Sequence, residues 1–95
     1  MRTILVAAAL LAMTAAAGAA PPTAEQKAEF HQTCVSISQN QPLCTCKADA
    51  AMDLVDGEFM AVIIAAMKGK APPGEYEVPY NDYIAASTQA CGMGM

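Results

Sequence analysis

Leu43-Cys44-Thr45-Cys46 is the stretch that decides how this chain folds. Its two cysteines stand one residue apart near the start of a helical pattern, with Cys34 on an earlier helical pattern and Cys91 at the end of a later one. Residues two apart on a helix project about 200° from each other, so Cys44 and Cys46 face different neighbours. A bridge between the two would have to draw diverging Cβ atoms together, which strains or unwinds the backbone. Of the three pairings that four cysteines allow, the other two both clamp the Cys44/Cys46 helix from two sides. We expect Cys34–Cys44 with Cys46–Cys91, because a short loop folds the second helix back on the first. The exchanged assignment, Cys34–Cys46 with Cys44–Cys91, serves the same topology and stays open.

Whether the sulfurs are oxidised depends on compartment. Arg2, an apolar run over 4–13 and small residues over 14–20 have the layout of a secretory signal peptide, with the cut expected before Ala20 and with Ala17 and Ala19 in the small-residue positions. This divides the chain into a signal peptide at 1–19 and a single disulfide-stapled helical domain at 20–95, periplasmic or secreted. The apolar run is too short and too rich in Ala to span a bilayer, so no stable membrane insertion is expected after cleavage. No cysteine follows it closely enough for a lipid anchor. In an oxidising compartment, disulfides are the default for all four cysteines.

The net charge of −4 moves to −5 once Arg2 leaves with the signal. An acidic surface without a basic patch argues against nucleic acid or an anionic membrane as partner. With no Trp, two Phe and three Tyr the core is thin, and small domains of this kind usually need staples.

Along the chain, Ala20-Pro21-Pro22 reads as a flexible entry and Thr23-Ala24-Glu25-Gln26 fits a capping box that starts the first helix. Its apolar stripe is Phe30, Cys34 and Ile37. Asn40 and Pro42 open a second helix over about 42–55, for which the spacing predicts Leu43, Ala50, Ala51, Leu54 and Val55 inward and Thr45, Asp49, Met52, Asp53 and Asp56 outward. Asp56 then caps a third helix, apolar on all sides from 59 to 67, which reads as the central element of the core and ends at Lys68-Gly69-Lys70. Residues 71–79 read as a loop, with Glu75 to Val78 extended. Asn81 or Asp82 would cap a fourth helix that places Tyr80, Ile84, Ser87 and Cys91 on one face and frays after Gly92. The fold class is therefore all-α, a small bundle of about four short helices held by two disulfides.

Little in this inventory supports catalysis. His31 is the single histidine and reads as a helix-surface residue, and Ser36, Ser38 and Ser87 have no base beside them in a recognisable grouping. Asp49, Asp53 and Asp56 lack the alternating spacing of a calcium loop and read as a solvated face. Met52, Met60 and Met67 fall at core spacings. A soft-metal site for Cu(I) or Zn(II) would draw on Cys34, Cys44, Cys46 and His31, or on Met93 and Met95 near Cys91, yet the spacing is not that of a zinc ribbon. A Cys44/Cys46 redox pair lacks a thioredoxin-like strand pattern to carry it. No cofactor and no metal are expected.

Two resemblances attach to these motifs. Phe30 to Cys34, Cys44-Thr45-Cys46, Gly57-Glu58-Phe59 and Ala90-Cys91 together resemble small exported bacterial proteins of uncharacterised function, a likeness that implies no activity. The layout from Thr45-Cys46 through a long apolar helix and a polar loop to Ala90-Cys91 is similar to the periplasmic acid-stress chaperones of the HdeA type, where the closing cysteine is bridged back to the first. That family has one disulfide, and Cys34/Cys44 departs from it. The function expected first is a non-enzymatic binding module that offers a helix face or Tyr76, Tyr80 and Tyr83 to a protein partner, since tyrosines suit interfaces. Acid-responsive chaperoning is the alternative that the second resemblance implies, and soft-metal binding is a third.

Overall fold

Thr23 opens the first helix. Its side chain accepts from the Gln26 backbone N–H at 3.0 Å, and the Gln26 side chain accepts in return from the Thr23 N–H at 3.0 Å, so two donors that a helix start leaves orphaned are satisfied. In the computed structural model, which describes residues 20–92, this helix is α1 (Ala24–Ser38). It is followed by α2 (Gln41–Leu54), α3 (Gly57–Met67), a single 3-10 turn (Gly74–Tyr76) and α4 (Glu77–Cys91). The expected signal peptide at 1–19 lies outside the described residues, as do residues 93–95. The all-α bundle of four helices is what the chain adopts, with no strand among the described residues.

The caps of α2 and α3 fall where the sequence puts them. Asn40 accepts from the Leu43 N–H at 3.1 Å with Pro42 in the first turn, and Asp56 accepts from the Phe59 N–H at 2.8 Å. Gly69, at φ +103°, ends α3 in a conformation that a side chain would disfavour. The fourth helix departs from expectation. It begins at Glu77, so Val78 and Pro79 belong to its first turn and neither Asn81 nor Asp82 is the cap. The first N–H groups of a helix have no intrahelical acceptor, and Pro79 there forfeits no hydrogen bond.

Both disulfides form as expected. Cys34–Cys44 joins α1 to α2 with Cα atoms 5.6 Å apart, and Cys46–Cys91 joins α2 to α4 at 5.7 Å. The middle helix of the assembly is therefore α2, packed against α1 on one side and α4 on the other. The apolar α3 packs on α1 and carries no disulfide. It was expected at the centre, yet only Met60, Ile63 and Ile64 are buried and Ala61 is exposed. Its small residues let one face stay open at modest cost, because an alanine offers little apolar area to hide.

Three other expectations are corrected. The Ala20-Pro21-Pro22 entry is tied down: Pro22 is buried and the Ala20 carbonyl accepts from the Gly57 N–H at 2.9 Å, while Gln26 Nε2 donates to the Gly57 carbonyl at 2.9 Å. The buried face of α2 is turned by roughly one residue. Cys44, Lys47, Ala48, Ala51 and Val55 are inside, and Leu54 is 47% exposed. The disulfide at Cys44 and the small Ala48 and Ala51 draw this face close to its neighbours, and that fit outweighs the burial of one leucine. Ile37, expected on the stripe of α1, is likewise 50% exposed, with Phe30 and Cys34 forming the inner contact.

Candidate functional site

The turn of α2 carries one side chain inward that its chemistry would keep outside. Lys47 is 2% exposed, the one charged residue buried among those described. Its Nζ donates to Ser87 Oγ at 3.1 Å and to Thr88 Oγ1 at 3.5 Å, both on α4. Ser87 is itself fully buried and donates to the Ile84 carbonyl at 3.3 Å, one turn back. Among the described residues, the ion pairs are Lys27–Asp49 and Lys68–Glu29, so Lys47 has no carboxylate partner. An ammonium removed from water without a counter-charge is costly to hold, and burial pushes the Lys47 pKa below the ordinary lysine value.

Beside this lysine is a cleft of about 250 Å³ lined from all four helices, by Phe30 on α1, Lys47 on α2, Ile63 and Met67 on α3, and Tyr80 and Tyr83 on α4 among others. Its walls are otherwise apolar or aromatic. Tyr83 is 6% exposed and has its phenol pushed up to about 12, chiefly by burial, with the Ser87 side chain working the other way and Tyr80 adding a little. The phenol thus stays a donor at neutral pH. Phe59 bridges the aromatic group, stacked on Tyr76 at 5.1 Å between centroids and edge-on to Tyr83 at 6.3 Å. Tyr80 and Tyr83 stand 6.5 Å apart. Tyr76 is half-buried, and its phenol is raised first by burial and then by the carboxylates of Glu58, Asp56 and Glu75.

The three tyrosines expected at a partner surface are therefore brought together, but on helical backbone rather than a loop. Tyr83 belongs to the core, and Tyr76 and Tyr80 retain surface. All four cysteines are in disulfides, which leaves none as thiolate for soft metal or exchange. His31 Nε2 lies 3.2 Å from Thr45 Oγ1. Asp49 pairs with Lys27 at 2.7 Å, and Asp56 caps α3. Among the described residues, no three His, Cys, Asp or Glu side chains are arranged to hold a metal ion, and no helix is long and apolar enough to cross a membrane. Met60 is buried, with Met52 and Met67 packed against the core, as their spacing predicts.

Sequence reading missed the inward position of Lys47 and its link to Ser87. A signal for Lys47 existed: it lies three residues after Cys44 and four before Ala51, on the stripe that a buried disulfide cysteine marks as inward. For Ser87, the expected face of Tyr80, Ile84, Ser87 and Cys91 was near the mark, but nothing in the sequence pairs it with Lys47.

The fold and the cleft define a disulfide-stapled all-α bundle with an aromatic cleft and a buried cation. No family model, no curated protein and no solved structure matches the chain.

Proposed function

We propose that this chain is a non-enzymatic binding module that works outside the cytoplasm, periplasmic or secreted, and meets a protein partner through the aromatic side of the bundle. The observation that carries the reading is the gathering of Phe59, Tyr76, Tyr80 and Tyr83 along α3, the 3-10 turn and α4, with Tyr76 and Tyr80 half-exposed. Aromatic side chains supply large, stiff contact area and anchor interfaces. Two disulfides fit an oxidising compartment, and commitment of all four sulfurs to the scaffold favours binding over chemistry. A photo-crosslinkable residue placed at position 80 is expected to give one discrete protein adduct in the native exported fraction, and the same residue at exposed position 32 is not. Equal labelling from both positions sinks the reading.

A second reading, acid-responsive chaperoning, is favoured by one observation: the most apolar helix is the one that no disulfide holds. Glu29 of α1 pairs with Lys68 just past the end of α3 at 2.6 Å, and Asp56 caps its start. Strong acid protonates carboxylates and leaves the lysines charged, which weakens both contacts and favours release of Met60, Ile63 and Ile64. Hydrophobic-dye binding near pH 2 with retained far-UV helix signal is the expected result. An unchanged near-UV spectrum without dye binding ends this reading.

A further inference from the structure

Lys47, a buried lysine whose ammonium has only neutral partners, contributes to the wall of an otherwise apolar cleft, which has the makings of an anion site. Lys47 presents three N–H donors. Two point to hydroxyl oxygens, at 3.1 Å and 3.5 Å, and neither acceptor carries charge. The cleft beside it contains no second lysine or arginine and no carboxylate among its lining residues. Its electrostatic demand is therefore for one negative charge, and the surrounding Phe30, Ile63, Met67, Tyr80 and Tyr83 demand an apolar body attached to that charge.

Size narrows the class further. About 250 Å³ exceeds the roughly 150 Å³ cavity that holds benzene, and falls below the roughly 300 Å³ where pockets for drug-sized ligands begin. The space suits one aromatic ring, or a short acyl chain, with its acid group. A phosphate monoester would bring a second negative charge that no cation in the cleft answers. The overall net charge of −4 also opposes polyanions approaching from solvent.

We infer that the cleft between the four helices binds a small amphipathic monocarboxylate, with the carboxylate on Lys47 Nζ and the apolar body among Phe30, Ile63, Met67, Tyr80 and Tyr83. In the free protein Ser87 and Thr88, neither of which lines the cleft, hold the ammonium, and binding turns Nζ from them toward the cleft. A bound carboxylate adds the missing charge, and a charge-assisted hydrogen bond is stronger than a neutral one. The inference rests on the reading of the chain as a binding module, but not on its having a protein partner.

The test is titration of the full, oxidised exported chain with phenylacetate and hexanoate, followed by calorimetry and by side-chain NMR shifts of Met67, Tyr80 and Ile84. Saturable binding is expected, weakened at least about tenfold when the carboxylate is replaced by the neutral alcohol 2-phenylethanol. Lys47→Met is expected to weaken it similarly while the chain stays folded. A second variant, Ala66→Leu, fills the cleft from α3 without touching the lysine, and is expected to weaken phenylacetate binding while leaving Lys47 in place. The inference is overturned by an absence of saturable binding to the folded chain, by equal affinity for the alcohol, or by undiminished affinity in Lys47→Met. Preference for a peptide with a C-terminal phenylalanine carboxylate over free phenylacetate also overturns it. Failure of the carboxylate titration with a discrete adduct from position 80 sinks this inference and spares the protein-binding reading; the reverse pair of results does the opposite.

Discussion

Lys47 Nζ donates to Ser87 Oγ across the contact between α2 and α4, at 3.1 Å, with both residues buried. This polar link lies in the same helix pair that Cys46–Cys91 covalently joins. Two helices already tied together can hold a costly charge between them, since the disulfide opposes the separation that would let water in.

Lys47→Met is expected to leave the fold intact and to raise its stability near neutral pH. The sign follows from burial, which lowers the folded-state pKa of Lys47. Between that lowered value and the unfolded value of 10.5, the unfolded chain binds more protons, so the lysine's contribution to stability rises with pH over that window. Below it both states carry the charge, and the folded state bears the full penalty. Urea unfolding near pH 7 should show a higher midpoint for the variant, and the gap should narrow as pH climbs through the window. A lower midpoint for Lys47→Met would show that the links to Ser87 and Thr88 outweigh desolvation.

Tyr83 acts in the opposite direction at alkaline pH. Its folded pKa is pushed up from 10.0 to about 12, so between those values the unfolded chain loses the proton first and stability falls as pH rises. The full shift corresponds to on the order of 3 kcal/mol. Tyr83→Phe should remove this part of the alkaline loss, measured as a flatter dependence of the unfolding midpoint on pH above about 10. An unchanged slope would place the loss elsewhere.

The two disulfides should differ in worth. Cys46–Cys91 closes a separation of 45 residues and Cys34–Cys44 one of 10, for which loop-closure entropy gives about 4 and about 2.7 kcal/mol. Replacing Cys46 and Cys91 together by Ala should lower stability more than replacing Cys34 and Cys44 together. Cys34 and Cys44 are both fully buried, so their removal also leaves unfilled core. If the short-loop pair proves the costlier to lose, packing outweighs chain entropy here.

Hydrogen exchange should find α3 opening before the other helices. It has no covalent tie, and the Lys68–Glu29 pair at its end is half-exposed on both sides, worth at most about 1 kcal/mol. Amides of Ile63 and Ile64 should exchange faster than those of Cys44 and Ala48, which lie on a helix clamped at both sides. Uniform protection across α2 and α3 would mean that the bundle opens only as a whole.

Much of the fold was legible because the devices that start helices are local. Thr23 with Gln26, Asn40 with Pro42, and Asp56 are each recognisable within a few residues, and each caps a helix where expected. The start of α4 differs because residues 71–79 read as one loop, whereas Pro79 closes that stretch inside the first turn of the helix. The rotation of α2 was hidden because leucine is ordinarily inside, and Leu54 at 47% exposure is not.

The sequence by itself determined the class of object: two cysteines one residue apart on a helix must look toward different partners, so α2 had to be stapled on two sides. Helical periodicity and divalent cross-linking are short-range facts that the order of residues contains. Only the tertiary structure decided which face of α2 turned inward, and with it that Lys47 is buried against Ser87 beside an aromatic cleft. The rotation of a helix about its own axis depends on the shapes and ties of all its neighbours at once. Lys47, Ser87 and the cleft-lining Phe30, Met67 and Tyr83 come from four different helices, and no local pattern records their meeting.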